Sequence, residues 1–354
     1  MQTKLGGAGA VTIAGAFNVT GSSTLTGSGI GDDQQVWDII GQLVSVHSTD
    51  GTSTYTYDAD SQLVGADYSF QPNETFGYDP NGNPTSASVG DANRILSDGT
   101  FDYTYDAEGN RIRRVEIATG TSVEYQWDHR NRLVGTITRD GAGNVVQTEQ
   151  IRYDDFGWKI ERTLDADGAG PQAANTERFV HDRDQIVMVF ADPATPSEIF
   201  TYGPRVDMVL SEQHGADLAW SLADHLGSVR DVVSSDGGTV LDHLTYNAFG
   251  LITGQTDAGA APRFSFAGRE LDTALNLYDE RARYYDPSLQ RFISEDPTGF
   301  MQSFLLPVGA RELTFTLNVH FDPAGNGPQD AFEVALLDAT TKASLLGGIG
   351  LTQT

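Results

Sequence analysis

The chain contains no cysteine, only three lysines (Lys4, Lys159 and Lys342), and no apolar run long enough to cross a bilayer, which takes roughly 18–20 residues. Without cysteine, neither a disulfide framework nor a thiolate metal site is available. The N-terminus carries no basic stretch followed by an apolar core, so no secretory leader is legible there. Basic residues are scarce overall: 22 against 49 acidic ones, for a net charge of −27 and a pI near 4.3. Nucleic acid and anionic lipid surfaces would be repelled by such a chain. The acidic balance fits simple solubility first, and a saline or cation-rich setting second. Apolar residues make up 39%, low for a globular enzyme, whereas glycine is abundant at 39 residues. That mixture suits many short strands joined by tight turns.

Residues 1–36 read as a Gly/Ser/Thr-rich linker or the remnant of a β-solenoid. From residue 37 a repeat sets in: an aromatic, then Asp, then two or three turn residues, then an alternating stretch. The copies include Tyr57-Asp58, Tyr78-Asp79, Tyr105-Asp106-Ala107-Glu108-Gly109-Asn110, Trp127-Asp128-His129-Arg130-Asn131 and Tyr153-Asp154. His181-Asp182 and Tyr246-Asn247-Ala248-Phe249-Gly250 are weaker ones. From Asp58 to Asp182 successive copies lie 21 to 28 residues apart, a supersecondary spacing. Phe101-Asp102-Tyr103-Thr104-Tyr105 has the period of a strand with its aromatics on one face. Asp can accept a hydrogen bond from the backbone two residues on, and Gly-Asn or Asn-Arg supplies left-handed turn positions. Each unit is therefore a β-hairpin whose aromatic face needs neighbouring hairpins for burial. The expected fold is all-β: a spiralling antiparallel sheet of such hairpins.

Residues 224–300 add longer motifs. They are Asp224-His225-Leu226-Gly227-Ser228-Val229-Arg230, Phe266-Ala267-Gly268-Arg269-Glu270, Leu277-Tyr278-Asp279-Glu280-Arg281-Ala282-Arg283-Tyr284-Tyr285-Asp286-Pro287 and Arg291-Phe292-Ile293-Ser294-Glu295-Asp296-Pro297. Together with the Tyr-Asp turns they resemble the RHS/YD-repeat family and its repeat-associated core, which occurs also in toxin-complex C components, wall-associated bacterial proteins and teneurins. The resemblance covers residues 37–300. It implies a β-shell of hairpins (37–200) plugged by the core (201–300), a secreted or cell-surface bacterial setting, and a partner in the form of a C-terminal effector of the same polypeptide. In some members the core cuts itself from that effector with its aspartates. Two departures matter. The family's Gly-Gly-x-Asn-x-Tyr continuation is replaced after Phe300 by Met301-Gln302-Ser303-Phe304, and the repeats are too few for a complete shell. The expectation is a partial shell that is not an enzyme. Residues 301–354, with alternation at Leu313–Val319 and Ala331–Leu337, read as an incomplete β-sandwich-like module.

Asp286 and Asp296, with Arg283 and Arg291, form the acid–base set to which the resemblance gives meaning. Paired carboxylates can share a proton and activate water. The alternative is that the Asp-Pro turns are simply braced by the arginines. Asp165 and Asp167 stand before Gly168 like the start of a calcium loop, yet Thr176 occupies the position of the closing Glu and no helices flank it. The plainer reading is a turn. No cofactor is expected. Beside the encapsulating shell stands a second reading, an adhesin whose exposed aromatics stack on envelope glycans.

Overall fold

Each Tyr-Asp turn reverses the chain for a local reason. In the computed structural model, which describes residues 23–25 and 34–296, the turn carboxylate accepts backbone N–H groups two and four residues on. Asp58 accepts from Asp60 (3.0 Å) and Gln62 (2.9 Å), and Asp128 from Arg130 (2.9 Å) and Arg132 (3.0 Å). Asp224 does the same with Leu226 and Ser228, so the Asp-His-Leu-Gly motif is itself another copy of the turn. A single left-handed residue follows three after the Asp: Gly82 (φ 79°), Gly109 (φ 88°), Asn131 (φ 56°) and Gly157 (φ 93°). Glycine and asparagine tolerate that conformation best. The fourth residue is not left-handed; Asn110 instead donates its Nδ2 to Asp106 Oδ2 at 3.0 Å. A register shift accompanies the turn, as at Gln126/Trp127 and Arg152/Tyr153, which marks a bulge of the kind that pins a hairpin.

The aromatic before each Asp then locks its hairpin to the preceding one. Tyr57 Oη donates to Leu43 O, Tyr78 to Leu63 O, Tyr105 to Ile95 O and Tyr153 to Leu133 O, all at 2.9 Å. Trp127 Nε1 does the same to Arg111 O at 2.9 Å, and Tyr202 and Tyr246 to Ile186 O and Val229 O at 2.7 Å. The rings are mostly half-buried, and Tyr103 and Tyr125, two residues ahead of this position, are buried. Tyr105→Ala is expected to lose about 2–3 kcal/mol of stability through ring area. Tyr105→Phe should lose about 1 kcal/mol, the net worth of the hydrogen bond. Urea unfolding of both variants beside the parent chain checks this, and a Tyr105→Phe variant as stable as the parent would dismiss the interlock.

The hairpins assemble in chain order. Six strands, from Ser23–Leu25 to Glu74–Thr75, form one antiparallel sheet, and sixteen, from Ser88–Val89 to Ile252–Gln255, form a second. The second ladder runs unbroken past residue 200. Four short strands, Glu270–Asp272, Leu277–Asp279, Tyr284–Asp286 and Arg291–Phe292, make a third sheet. Helix among the described residues is limited to three 3₁₀ turns. The fold is thus all-β, and among the described residues no strand ladder closes into a barrel. Side chains join the first sheet to the end of the second. Glu74 accepts from Ala248 N (2.9 Å) and Asn247 Nδ2 (3.1 Å), Gln71 Nε2 donates to Tyr246 O (2.9 Å), and Phe76 meets Phe249 edge-on at 5.0 Å. The linker expected for residues 1–36 lies mostly, and the module expected for 301–354 entirely, outside the described residues.

The small third sheet is what the wall packs on. Val123, Tyr125, Leu133 and Ile151 of the wall share one apolar cluster with Leu275, Leu277, Tyr284 and Ile293 of the core segment. Phe264 joins a second cluster with Phe179, Val189 and Phe200, and Leu289 a third with Ile95 and Tyr103. Burial of these residues removes the wall's inward apolar face from water, the main force holding core to wall.

Candidate functional site

Between the three apolar clusters, the seam of wall and core segment is ionic. On a strand such as Val145–Tyr153, alternate residues face inward, and Glu149 shares the parity of Ile151 and Tyr153. The wall therefore carries charges on a face that burial would keep apolar. Such charges are tolerated only when paired.

Four cations organise the seam. Arg263, just ahead of the core strands, donates to Glu198 (2.6 and 2.8 Å), Glu177 (2.6 Å) and Glu270 (2.8 Å), and Glu212 accepts the backbone N–H of Arg263 at 2.9 Å. Lys159 of the wall reaches Glu270 Oε2 (2.5 Å) and Asp279 Oδ2 (2.7 Å), with its Nζ 5.0 Å from the Phe179 ring centroid. Arg162 bridges Glu149 of the wall and Asp272 of the core (2.9 Å to the latter). Arg111, with no exposed surface, pairs with Asp286 at 2.8 Å. Its guanidinium lies 5.4 Å from the Tyr103 ring centroid and 4.9 Å from that of Tyr125, where the π faces stabilise the cation.

The charge states follow from this packing. Burial alone would pull the Lys159 pKa down, but Asp279 and Glu270 outweigh it and hold the ammonium charged, well above its ordinary value. Burial opposes the Glu270 charge as well, yet Lys159 and Arg263 hold that carboxyl down at about 2. Glu149 goes the other way. Burial and the neighbouring Asp272 charge push its carboxyl up to about 8, against the pull of Arg162.

The residues singled out from sequence occupy this region in different ways. Asp286 is buried: its Oδ2 takes Arg111, and its Oδ1 accepts from Ser288 N (3.0 Å) and Leu289 N (3.3 Å). Asp296 lies nearer the surface, 3.3 Å from Arg283, whose guanidinium sits 3.6 Å from the Phe292 ring centroid. Arg291 faces Asp286 in register across the adjacent strand, but its Nη1 donates to Asn93 O at 2.8 Å. The structure thus joins Arg283 to Asp296 and gives Asp286 a wall arginine as partner. Asp165 and Asp167 serve their own loop: Asp165 Oδ1 accepts from Asp167 N (3.3 Å), and Asp167 Oδ2 from Gln172 N (3.0 Å). Glu177, the residue after Thr176, is committed to Arg263. Among the described residues, no three His, Cys, Asp or Glu side chains converge as metal ligands would. Sequence reasoning missed Arg111, Lys159, Arg162 and Arg263 in this role and, Asp286 apart, their carboxylates. Charges on the inward parity of apolar strands were the available signal.

A wall of Asp-turn hairpins bound to its own core segment through a buried ionic seam defines a β-shell protein. This chain belongs to the Teneurin YD-shell family, whose model matches residues 33–309. Among characterised proteins it is similar to double-stranded DNA deaminase toxin A of Burkholderia cenocepacia, at 28% identity over 74% of this chain and 20% of the relative. It is also similar to the tRNA nuclease WapA of Bacillus subtilis (25% identity, 73% of this chain, 10% of the relative). A third is toxin protein Tse5 of Pseudomonas aeruginosa (26% identity, 88% of this chain, 27% of the relative). The chain therefore spans only a small part of the relatives it matches. A structure of the Photorhabdus luminescens Tc holotoxin pore shares the fold with a TM-score of 0.55, at 18% identity over 76% of this chain and 16% of that one.

Proposed function

We propose that this chain is a non-enzymatic wall-and-core piece of a bacterial shell, secreted or displayed at the cell surface, that houses an effector segment of its parent polypeptide. The observation that carries the reading is the seam. The charged inner face of the wall is spent on holding the core segment, and Asp286, the buried aspartate with family meaning, is occupied on both oxygens. The relatives named as a deaminase and a nuclease are several times longer than the matched region, which leaves room for such activities outside the shell portion. The adhesin reading draws no support from the repeat aromatics, whose polar atoms are committed to neighbouring hairpins. The core segment of this reading, residues 201–300, begins within the long sheet, whose strands continue to Ile252–Gln255, and its part from Arg263 onward forms the seam with the wall; the Asp165–Asp167 loop is a turn that needs no calcium.

The purified chain is expected to stay intact during prolonged incubation at mildly acidic and neutral pH, as judged by intact-mass measurement. A fragment ending near residue 300 that disappears in Asp286→Asn or Asp296→Asn would show a self-cleaving core instead. Glycan binding lost in Tyr105→Ala at unchanged stability would turn the reading toward an adhesin.

A further inference from the structure

We propose that Glu149 of the wall carries a proton and donates it to Asp272 of the core segment, so that this part of the seam is a carboxyl–carboxylate clasp that loosens when the proton is lost. The clasp stands whether or not the shell houses a second segment.

The geometry is that of two acids and one base. The Glu149 side chain has no exposed surface. One of its oxygens, Oε1, receives the Arg162 guanidinium, whose Nη2 is committed to Asp272 Oδ1 at 2.9 Å and whose Nη1 lies 3.7 Å from Glu177. The other oxygen, Oε2, is buried with no partner, and the Arg162 guanidinium holds the Glu149 and Asp272 carboxyl groups side by side. Asp272 has what an anion needs: besides Arg162 it accepts from Ala274 N (3.0 Å) and Leu275 N (3.2 Å). Glu149 has no such backbone donors, so of the two it is the one to hold a proton.

Every packed neighbour agrees with that assignment. The adjoining wall strand offers Thr136, a neutral residue in register with Glu149. The other adjoining strand offers Arg162, already shared. The core contributes Asp272 and, from the strand Tyr284–Asp286, the buried Tyr284, whose hydroxyl stays protonated beside this cluster. Lys159 and Arg263 are taken up by Glu270, Asp279, Glu177 and Glu198. A second bare charge at Glu149 would thus face Asp272 in a site from which water is excluded, where like charges strongly disfavour joint ionisation.

The sign of the pH effect follows. Glu149 holds its proton up to about pH 8 in the folded chain, whereas an exposed glutamate gives it up near pH 4.3. A folded state that binds more protons than the unfolded one loses stability as pH rises. The contribution is fully present below the unfolded value and is lost as pH passes through the folded one.

A glutamine in place of Glu149 would reproduce the protonated acid: its amide can accept from Arg162 and donate to Asp272 at any pH. Glu149→Gln is therefore expected to match the parent chain's melting temperature at about pH 6 and to exceed it at about pH 9, because only the parent loses its clasp across that range. Infrared spectra of the parent chain at neutral pH should show a protonated-carboxyl C=O band that fades toward the alkaline end and is missing from Glu149→Gln. Parallel melting curves for parent and variant across the range would overturn the proposal. So would the absence of that band at neutral pH, a reading on the parent chain that holds even if the variant does not fold.

Discussion

Arg263→Ala is expected to destabilise the chain by about 3–5 kcal/mol, the cost of removing one member of a buried ionic network. The guanidinium is the cation on Glu198, the nearer of two cations on Glu177 and the second cation on Glu270. Its removal leaves Glu198 in the seam without its cation and Glu177 with only the more distant Arg162, while Lys159 still serves Glu270. The hydrophobic stem and its contact over the Phe179 ring are lost as well. Arg263→Lys should recover only part of the loss, because one ammonium cannot reproduce a planar fork that meets three acids. Urea titrations of both variants at neutral pH read these losses. A deficit below about 1 kcal/mol at neutral pH, the level of an exposed ion pair, would mean that the network does not hold core to wall.

The contrast between what was legible and what was not is one of sequence distance. The turn at Asp128 is written in five consecutive residues, because its carboxylate bonds to Arg130 and Arg132 and its left-handed residue is Asn131. Any window that covers the turn contains the whole reason for it. The family motifs likewise read as strings, and the all-β expectation followed from the alternation around Tyr103 and Tyr105. The seam obeys a different rule. Arg263 meets acids 65 and 86 positions away, and Arg111 meets Asp286 at a separation of 175. Each of these looks like an ordinary strand charge until the fold brings it to its partner. Asp286 shows the consequence: its motif marked it as noteworthy, but its partner could not be read from neighbours such as Arg283, which turns to Asp296 instead. The aromatic interlock lay between these extremes. The ring before each Asp was visible as a repeat, while the carbonyl it bonds, such as Ile95 O for Tyr105, depends on hairpin stacking.

Arg111→Met is the second large effect, also expected at about 3–5 kcal/mol, and it separates the structural from the catalytic meaning of Asp286. Arg111 and Asp286 are both essentially inaccessible to solvent, at 0% and 1% exposure. Methionine keeps a stem between the Tyr103 and Tyr125 rings but strands the Asp286 carboxylate in an apolar site. Asp286→Asn alone strands the guanidinium instead, although the amide can still accept from Ser288 N and Leu289 N as the carboxylate does. In the double variant neither charge is left uncompensated, so the summed single losses should exceed the double loss by about 1–3 kcal/mol, the range for residues in direct contact. An aspartate retained for chemistry makes the opposite prediction. Such groups are held at a cost to the fold, and their removal typically leaves stability unchanged or improved. Asp286→Asn that melts higher than the parent chain, with additive effects in the double variant, would therefore mark Asp286 as a reactive group. A strong coupling to Arg111 marks it as the bolt that fixes the core segment to the wall.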